Sequence, residues 1–299
     1  MKLLTVSPAP HIRDKASTRS IMLDVLIALA PTLVASIVIF GFQALLVTGV
    51  CVGMAVLSEF VFEKGVKKSV TINDLSAVVT GVLLSFCLPV DIPLWIAGLG
   101  SVIAIVVVKQ LFGGIGQNFA NPAITARVVL LISFGGAMST YAIDGVTSAT
   151  PLAAGAANPG VLGMFLGNHA GSLGETCALT LLIGGAYLVV RKVISWHIPV
   201  AYIGTVAVVS LIAQQDLSIQ LMGGGLLLGA IFMATDYATS PMTNAGKLVY
   251  GVGCGLLTMM IRLWGATPEG VSYAILLMNI LTPHIDKLTA HKALGGDAA

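Results

Sequence analysis

Charge is scarce in this sequence and falls between long apolar stretches; no other feature limits the possible folds as much. Of 299 residues, 15 are Lys or Arg and 13 are Asp or Glu, so 9% are charged while 57% are hydrophobic. Soluble domains carry about 25% charged residues. A mean hydropathy of +0.97 leaves too few polar side chains to clothe a water-facing surface. The bilayer is therefore the main solvent. At ~20 residues per span, about ten spans use roughly two thirds of the chain. An ordinary soluble enzyme and a disordered tail are both excluded. The net charge of +2 is too small to suggest a nucleic-acid partner. Cys51, Cys87, Cys177 and Cys254 each fall in an apolar stretch and form no CxxC pair, so they read as small buried hydrophobes. The five histidines, His11, His169, His197, His284 and His291, have no metal-ligand spacing and read as interfacial.

Apolar stretches predict ten helices, near 21–41, 43–62, 73–89, 93–112, 121–134, 175–194, 198–213, 218–234, 246–264 and 270–283. Those at 73–89, 121–134 and 270–283 are short for a full crossing. Short or Gly/Pro-interrupted segments are where membrane proteins place broken helices around a buried site. Basic residues set the orientation. With the N-terminus inside, 13 of the 15 basic residues are cytoplasmic, including Lys64, Lys67, Lys68, Arg191 and Lys192. Lys109 sits at the inner end of span four, Arg127 falls within span five, and Arg262 lands near the outer face. Both termini are inside. The chain divides into a cytoplasmic leader at 1–20, a first five-helix unit at 21–134, an extracytoplasmic loop at 135–174, a second five-helix unit at 175–285 and a cytoplasmic tail at 286–299. The leader lacks an apolar run beside a small-residue cleavage site, unlike a signal peptide. Loops as long as 135–174 are usually functional.

The halves resemble each other weakly. Gly98 and Gly100 precede Lys109 at the same spacings as Gly251 and Gly253 precede Arg262. Five spans per half is an odd number, so the second copy must be inverted, as in transporter folds with a site at the repeat interface. Glycines serving only close helix packing give the same pattern.

Several residues are suited to chemistry. The outer loop holds Asp144, Thr147, Ser148 and Thr150 in the run DGVTSATPL. It is a hydroxyl cluster among small residues, held extended by the following proline and exposed enough for modification; a plain Ser/Thr-rich turn has the same composition. Asn118 and Asn121, three apart before span five, can share one side of a helix turn, and their amides both donate and accept. Asn121 before Pro122 is also a helix cap. Asp24, Asp74 and Glu175 start predicted helices, where a carboxylate complements the dipole. Asp236 and Glu59 are the better candidates for an ion path.

The TSAT sequence with an acidic residue upstream resembles the flavinylation motif of the RnfD/NqrB family, membrane subunits of ion-translocating electron-transport complexes. A common version of that motif has Gly where this chain has Ser148. The likeness extends to SPAPHIRDKASTRSIMLDVLIALAP near the N-terminus, GGIGQNFANPA at 113–123, GNHAGSLGET at 167–176 and TDYATSPMTNAGK at 235–247. It is closer to RnfD than to NqrB, because the chain is short and has no long N-terminal extension. The resemblance implies an all-α integral membrane protein of about ten transmembrane helices in two inverted, urea-transporter-like repeats. It also implies FMN joined to Thr150 by a phosphoester, attached by a separate flavin transferase, and a non-covalent riboflavin near Asn118 and Asn121. Arg262, as the lone basic residue near the outer face, is then suited to neutralise the flavin phosphate.

The function implied is that of a flavin-carrying subunit that passes electrons through the membrane, in a complex coupling ferredoxin and NAD to Na+ or H+ movement. Its partners are the other Rnf subunits, including an extracytoplasmic FMN-carrying subunit and Fe–S subunits, together with membrane lipid and no nucleic acid. Its place is a bacterial or archaeal cell (inner) membrane. A small-solute transporter using the repeat interface accounts for the spans but not for the TSAT loop. A purely structural scaffold treats the motifs as relics.

Overall fold

The structure, a computed structural model, describes residues 17–68, 70–143, 146–148, 150–152, 160–167, 169–175, 177–265 and 269–290. α1 (Thr18–Phe40) begins at Ser17, whose Oγ accepts from the Ser20 N–H while Ser20 Oγ accepts from the Ser17 N–H. This reciprocal cap satisfies two orphan donors. Its 23 residues span about 35 Å, enough for a hydrocarbon core of ~30 Å. α2 (Phe42–Gly65) follows after a turn at Gly41, whose φ of 69° is open to glycine. After a 3-10 turn at Ile72–Asp74 come α3 (Ser76–Phe86), α4 (Leu94–Gln110) and α5 (Pro122–Ser133). From Ile103 onward α4 is π-helical. In the connection between halves lie α6 (Gly135–Met138) and α7 (Gly160–Leu166). The second half has α8 (Ala178–Val190), α9 (His197–Ile212), α10 (Leu217–Met222), α11 (Leu226–Leu228, continued by π-helical Gly229–Met233), α12 (Asn244–Trp264) and α13 (Val271–Thr289). Among the described residues α1, α2 and α12 are long and apolar enough to cross a membrane. The molecule is a helical membrane protein.

Three expectations need correction. The span at 218–234 is not continuous: it breaks at Gly223–Gly225, where Gly224 and Gly225 have φ of 67° and 66°. The last helix is not short, because it runs through Pro283 to Thr289; proline stops helices in water, yet is tolerated where neighbours re-satisfy the backbone. The all-α description also has one exception, a hairpin of β1 (Tyr141–Ile143) and β2 (Val146–Ser148), paired antiparallel with Tyr141 opposite Ser148. α1 begins at Thr18 and α13 ends at Thr289, and 1–16 and 291–299 lie outside the described residues.

The shortness of α3 has a consequence. Its end would leave bare carbonyls in the apolar interior, a costly state. Residues 172–175 fold back to meet them: the Leu173 N–H donates to Leu88 O at 3.0 Å and the Gly174 N–H to Phe86 O at 2.9 Å. Part of the long connection is thus interior structure.

Small residues carry the helix contacts, as expected where lipid supplies no hydrophobic drive. α2 packs on α3 and α4, α9 on α12, and α1 on α8. The α1–α8 contact is the closest: a Cβ at Gly184 would run into the carbonyl of Ala28. That atom is backbone and does not swing aside. Gly184→Val is therefore expected to cost about 1–3 kcal/mol, as overpacking does. Thermal unfolding in detergent checks it, and an unchanged midpoint would show that α1 and α8 separate freely.

At one end of the bundle the feet of these helices are tied together. Arg191, at the close of α8, bridges Asp24 in α1 at 3.1 Å, and the Tyr187 hydroxyl donates to the same carboxylate at 2.9 Å. Lys64, Lys67 and Lys68 lie at the end of α2 nearby. This is the basic end. Asp24 is thus an ion-pair partner between helices and not a dipole cap, whereas Asp74, just before α3, accepts from the Ser76 N–H at 2.8 Å.

Candidate functional site

A cavity of about 350 Å³ opens among the helix feet at the basic end. Ligand pockets begin near ~300 Å³. Met22, Val79, Leu83 and Phe232 give it apolar walls, and Asn118, Asn121 and Asp236 give it polar ones. Three residues singled out from sequence thus meet here. Their local geometry differs from expectation, since residues 111–121 are not helical and the two asparagines do not share a helix turn. Both face the cavity because the segment doubles back through Gly113, Gly114 and Gly116, all at positive φ.

Asn121 is the N-cap of α5. Its Oδ1 accepts from the Ala123 and Ile124 N–H groups, Pro122 occupies the first turn, and its Nδ2 donates to Met233 O at 3.2 Å. Capping and cavity lining coexist. Asn118 Nδ2 donates to Ala120 O at 3.0 Å and to Asp236 Oδ2 at 3.4 Å. No donor among the described residues reaches Asn118 Oδ1, so an acceptor remains for a ligand. Asp236 also accepts from the Thr239 hydroxyl at 3.2 Å. Burial pushes its carboxyl above the usual carboxylate range, against the hydrogen bonds from Ala238, Thr239 and Asn118.

Lys109 and Ser76 form another part of the wall. Lys109 Nζ lies 2.6 Å from Glu59 Oε1 and 2.6 Å from Ser76 Oγ. Glu59 is therefore not an isolated carboxylate but half of a buried ion pair.

A second cluster lies farther along α5. Arg127 donates to Glu269, which also accepts from the Tyr141 hydroxyl. Burial is the main cause that pushes the Tyr141 hydroxyl up, with Glu269 adding to it. Arg262, in the last turn of α12, donates to Gln220 O at 2.6 Å, Gln220 Oε1 at 3.0 Å and Gly223 O at 2.9 Å. The Gly223–Gly225 turn sits between the two arginines: a Cβ at Gly224 would meet Arg262, and one at Gly225 would lie 3.8 Å from Arg127 Nη1. The N–H of Gly224 is held by Glu175, which precedes α8 and so is not a helix-end charge. Arg262 is not the lone cation of this region. Both arginines keep a buried Nε with no partner among the described residues. Unpaired buried donors are rare and costly, and two beside one turn suit an anionic acceptor such as a phosphate group.

Thr150 is joined to this cluster through Leu152. It is 4% exposed, contrary to the expected open loop. Leu152, two residues on, packs over the turn, 3.4 Å from where a Cβ of Gly223 would stand, and draws the segment inward. Thr147 and Ser148 have their backbone in β2; Asp144 lies outside the described residues. His169 is buried, not interfacial. No group of His, Cys, Asp and Glu able to hold a metal occurs among the described residues.

The two regions are neighbours. Arg127 is six residues beyond Asn121, about 9 Å along the axis. Cys87 Sγ lies 3.9 Å from Met233 Sδ, and Met233 O holds Asn121. Arg127, Glu269 and Tyr141 were not anticipated as parts of one site. The available signal was Arg127 itself, since a charge within a span must be paired.

Residues 5–295 match the profile of the NQR2, RnfD, RnfE family. The sequence is 51% identical over 303 residues to the D subunit of the Na(+)-translocating ferredoxin:NAD(+) oxidoreductase complex of Acetobacterium woodii, covering 98% of this chain and 95% of that one. It is 43% identical to the D subunit of the proton-translocating ferredoxin:NAD(+) oxidoreductase complex of Clostridium ljungdahlii, over 96% of this chain and 95% of that one. It is 37% identical to the D subunit of the ion-translocating oxidoreductase complex of Stutzerimonas stutzeri, over 95% and 94%.

Proposed function

The chain belongs to the NQR2, RnfD, RnfE family, and from that premise we propose that it is the D subunit of an ion-translocating ferredoxin:NAD oxidoreductase complex, carrying two flavins. One is FMN esterified to Thr150, and the other is riboflavin held without a covalent bond in the cavity at the basic end. The observation that carries this reading is the contact of Leu152, two residues after buried Thr150, with the Gly223–Gly224 turn that Arg262 holds, beside arginine Nε atoms that have no partner among the described residues and suit a phosphodiester. The isoalloxazine rings supply the redox chemistry when bound; the protein fixes position, dielectric and hydrogen bonds.

The chain's own residues have definable tasks. Arg262 and Arg127 offer charge-assisted donors to the phosphate. Asp144, Thr147 and Ser148 belong to the sequence a flavin transferase reads. Asn118 offers Oδ1 to a ring N–H, while Asn121 fixes the start of α5 beneath it. Asp236 steadies Asn118, and its place at the cavity suits a proton or ion path. The basic end is cytoplasmic under the positive-inside rule, which puts Thr150 outside and both termini inside a bacterial or archaeal cell (inner) membrane. Electrons then reach Thr150 from an extracytoplasmic FMN-carrying subunit, with Fe–S subunits completing the chain.

Ten spans in two inverted, urea-transporter-like repeats fit the packing. In the first half Gly98 faces Met54 of α2 and Gly100 faces Leu130 of α5; in the second Gly251 faces Ala201 of α9 and Gly253 faces Met278 of α13. Matching glycines thus meet matching helices. A solute pathway gives no reason for the TSAT sequence, so the transporter alternative has less support.

Coexpression with a flavin transferase tests the reading. The polypeptide is expected to fluoresce yellow-green on a denaturing gel, and Thr150→Ala to go dark. Undiminished fluorescence in the variant moves the ester elsewhere; a dark wild type made with an active transferase removes it.

A further inference from the structure

His169 belongs to GNHAGSLGET, the run at 167–176, to which the flavin sites above give no task. It is buried, at 4% exposure, and neither Nδ1 nor Nε2 has a hydrogen-bond partner among the described residues. The backbone of Gly163 faces the ring without completing a hydrogen bond. A neutral imidazole carries one N–H donor and one acceptor nitrogen, and leaving both unpaired in the interior is rare and costly. Packing does not explain that choice, because an apolar side chain would fill the space without the cost.

The chain on both sides of His169 leads to the Gly223–Gly225 turn. Ahead of it, Met164 Cε lies 3.5 Å from where a Cβ of Gly223 would stand, beside Leu152. Behind it, Ser172 donates from its N–H and hydroxyl to Glu175 Oε2, at 3.4 and 3.2 Å, while Glu175 Oε1 accepts from the Gly224 N–H. Ser36 of α1 donates to Leu173 O at 2.6 Å and pins the segment to the bundle. His169 is therefore fixed between two contacts with one turn, the turn that Arg262 grips and Leu152 covers.

The charged groups around that turn balance when ionised, Arg127 and Arg262 against Glu175 and Glu269. The other titratable neighbours are the Tyr141 hydroxyl and the thiols of Cys87 and Cys177. A phosphodiester adds one negative charge to this buried set, and an uncompensated buried charge is expensive. Balance returns if either Glu175 or a neutral base takes a proton. Burial raises the Glu175 carboxyl, yet its hydrogen bonds all come from donors and favour the ionised form. The bare nitrogens of His169 lose no partner on protonation.

We propose that His169 is a third donor to the phosphate of the Thr150 ester and takes up one proton when that phosphate is seated. The inference rests on the Thr150 reading above. Without the ester, burial keeps the imidazole neutral by lowering its affinity for protons. With it, a neighbouring negative charge favours the imidazolium. One N–H bond forms on the ring with a proton from solvent, and no other bond changes. Both ring nitrogens then donate, as the two arginines do.

The test uses the full chain, coexpressed with a flavin transferase and purified in a maltoside detergent that carries no phosphorus. A phosphate monoester has a second ionisation at about pH 6, but a diester has none, so its phosphorus NMR line moves with pH only if a neighbour titrates. The wild-type line is expected to shift in one step between about pH 5 and pH 8. His169→Gln is expected to stay fluorescent on a denaturing gel and to lose the step. In a background with His11, His197, His284 and His291 replaced by Gln, His169 is the one remaining imidazole. Nitrogen NMR then reads its titration whether or not His169→Gln assembles. Its midpoint is expected to lie about one pH unit or more higher with Thr150 esterified than in Thr150→Ala, a tenfold gain in proton affinity. A wild-type phosphorus line that ignores pH, or equal midpoints with and without Thr150, overturns the linkage while a fluorescent gel keeps the ester. A step that survives in His169→Gln gives the proton to Glu175 and overturns it as well. A wild-type chain that stays dark beside an active transferase overturns the Thr150 reading and the linkage together.

Discussion

Replacing Glu269 by alanine is expected to lower the stability of the protein by roughly 3–5 kcal/mol, the range seen when one member of a buried ion pair is removed. Arg127 is 3% exposed in the middle of α5 and loses its direct carboxylate partner in the variant. The Tyr141 hydroxyl loses its acceptor at the same time. Neither group has water to turn to. The damage comes from the stranded charge and not from the value of the pair itself, because the attraction of two buried ions is largely offset by their desolvation. Two further variants separate these effects. Glu269→Gln keeps an acceptor for Arg127 and Tyr141 and should lose less. Arg127→Met/Glu269→Leu removes both charges and should recover most of the loss in thermal unfolding, while still impairing flavin retention if Arg127 serves the phosphate. A loss below about 1 kcal/mol in Glu269→Ala, the scale of an exposed pair, would show that Glu175 suffices as counter-charge for Arg127.

That pair also marks where sequence reasoning stopped. Helix positions were legible because an apolar run of the right length has one common use in a bilayer: the run at 43–62 became Phe42–Gly65, and that at 198–213 became His197–Ile212. The break at Gly223–Gly225 was not, since GGGLLLG keeps a high average hydropathy whether or not its glycines adopt positive φ. The opposite holds at Pro283, which α13 passes on its way to Thr289 although the apolar stretch ends there. The link from Arg127 to Glu269 crosses 142 positions, and nothing local to either residue names its partner. Asn118, Asn121 and Asp236 could be nominated singly, but their meeting depends on three positive-φ glycines before α5 and on the π-helical end of α11. The burial of Thr150 was hidden for a similar reason. Composition describes the loop, whereas the Leu152 contact with the glycine turn draws it inward.

Filling the cavity should remove one flavin and spare the other. Thr80 is a half-buried wall residue on α3, with its hydroxyl turned back to Ser76 O at 3.0 Å, so its replacement strands no buried polar group of another element. Thr80→Trp puts an indole into a space of about 350 Å³, near the lower limit for a small-molecule pocket. Acid-extractable riboflavin is expected to fall at least tenfold, while gel fluorescence from the Thr150 ester stays at the wild-type level. Thr80→Val, close in volume, should keep both flavins and controls for loss of the hydroxyl. The reciprocal variant, Thr150→Ala, should lose the ester and retain the extractable flavin, because Asn118, Asn121 and Asp236 hold their positions through Ala120, Met233 and Thr239 and not through the outer loop. Full riboflavin content in Thr80→Trp would place that flavin outside this cavity. Joint loss of both flavins in either variant would mean that the two regions, about 9 Å apart along α5, fold or load as one unit.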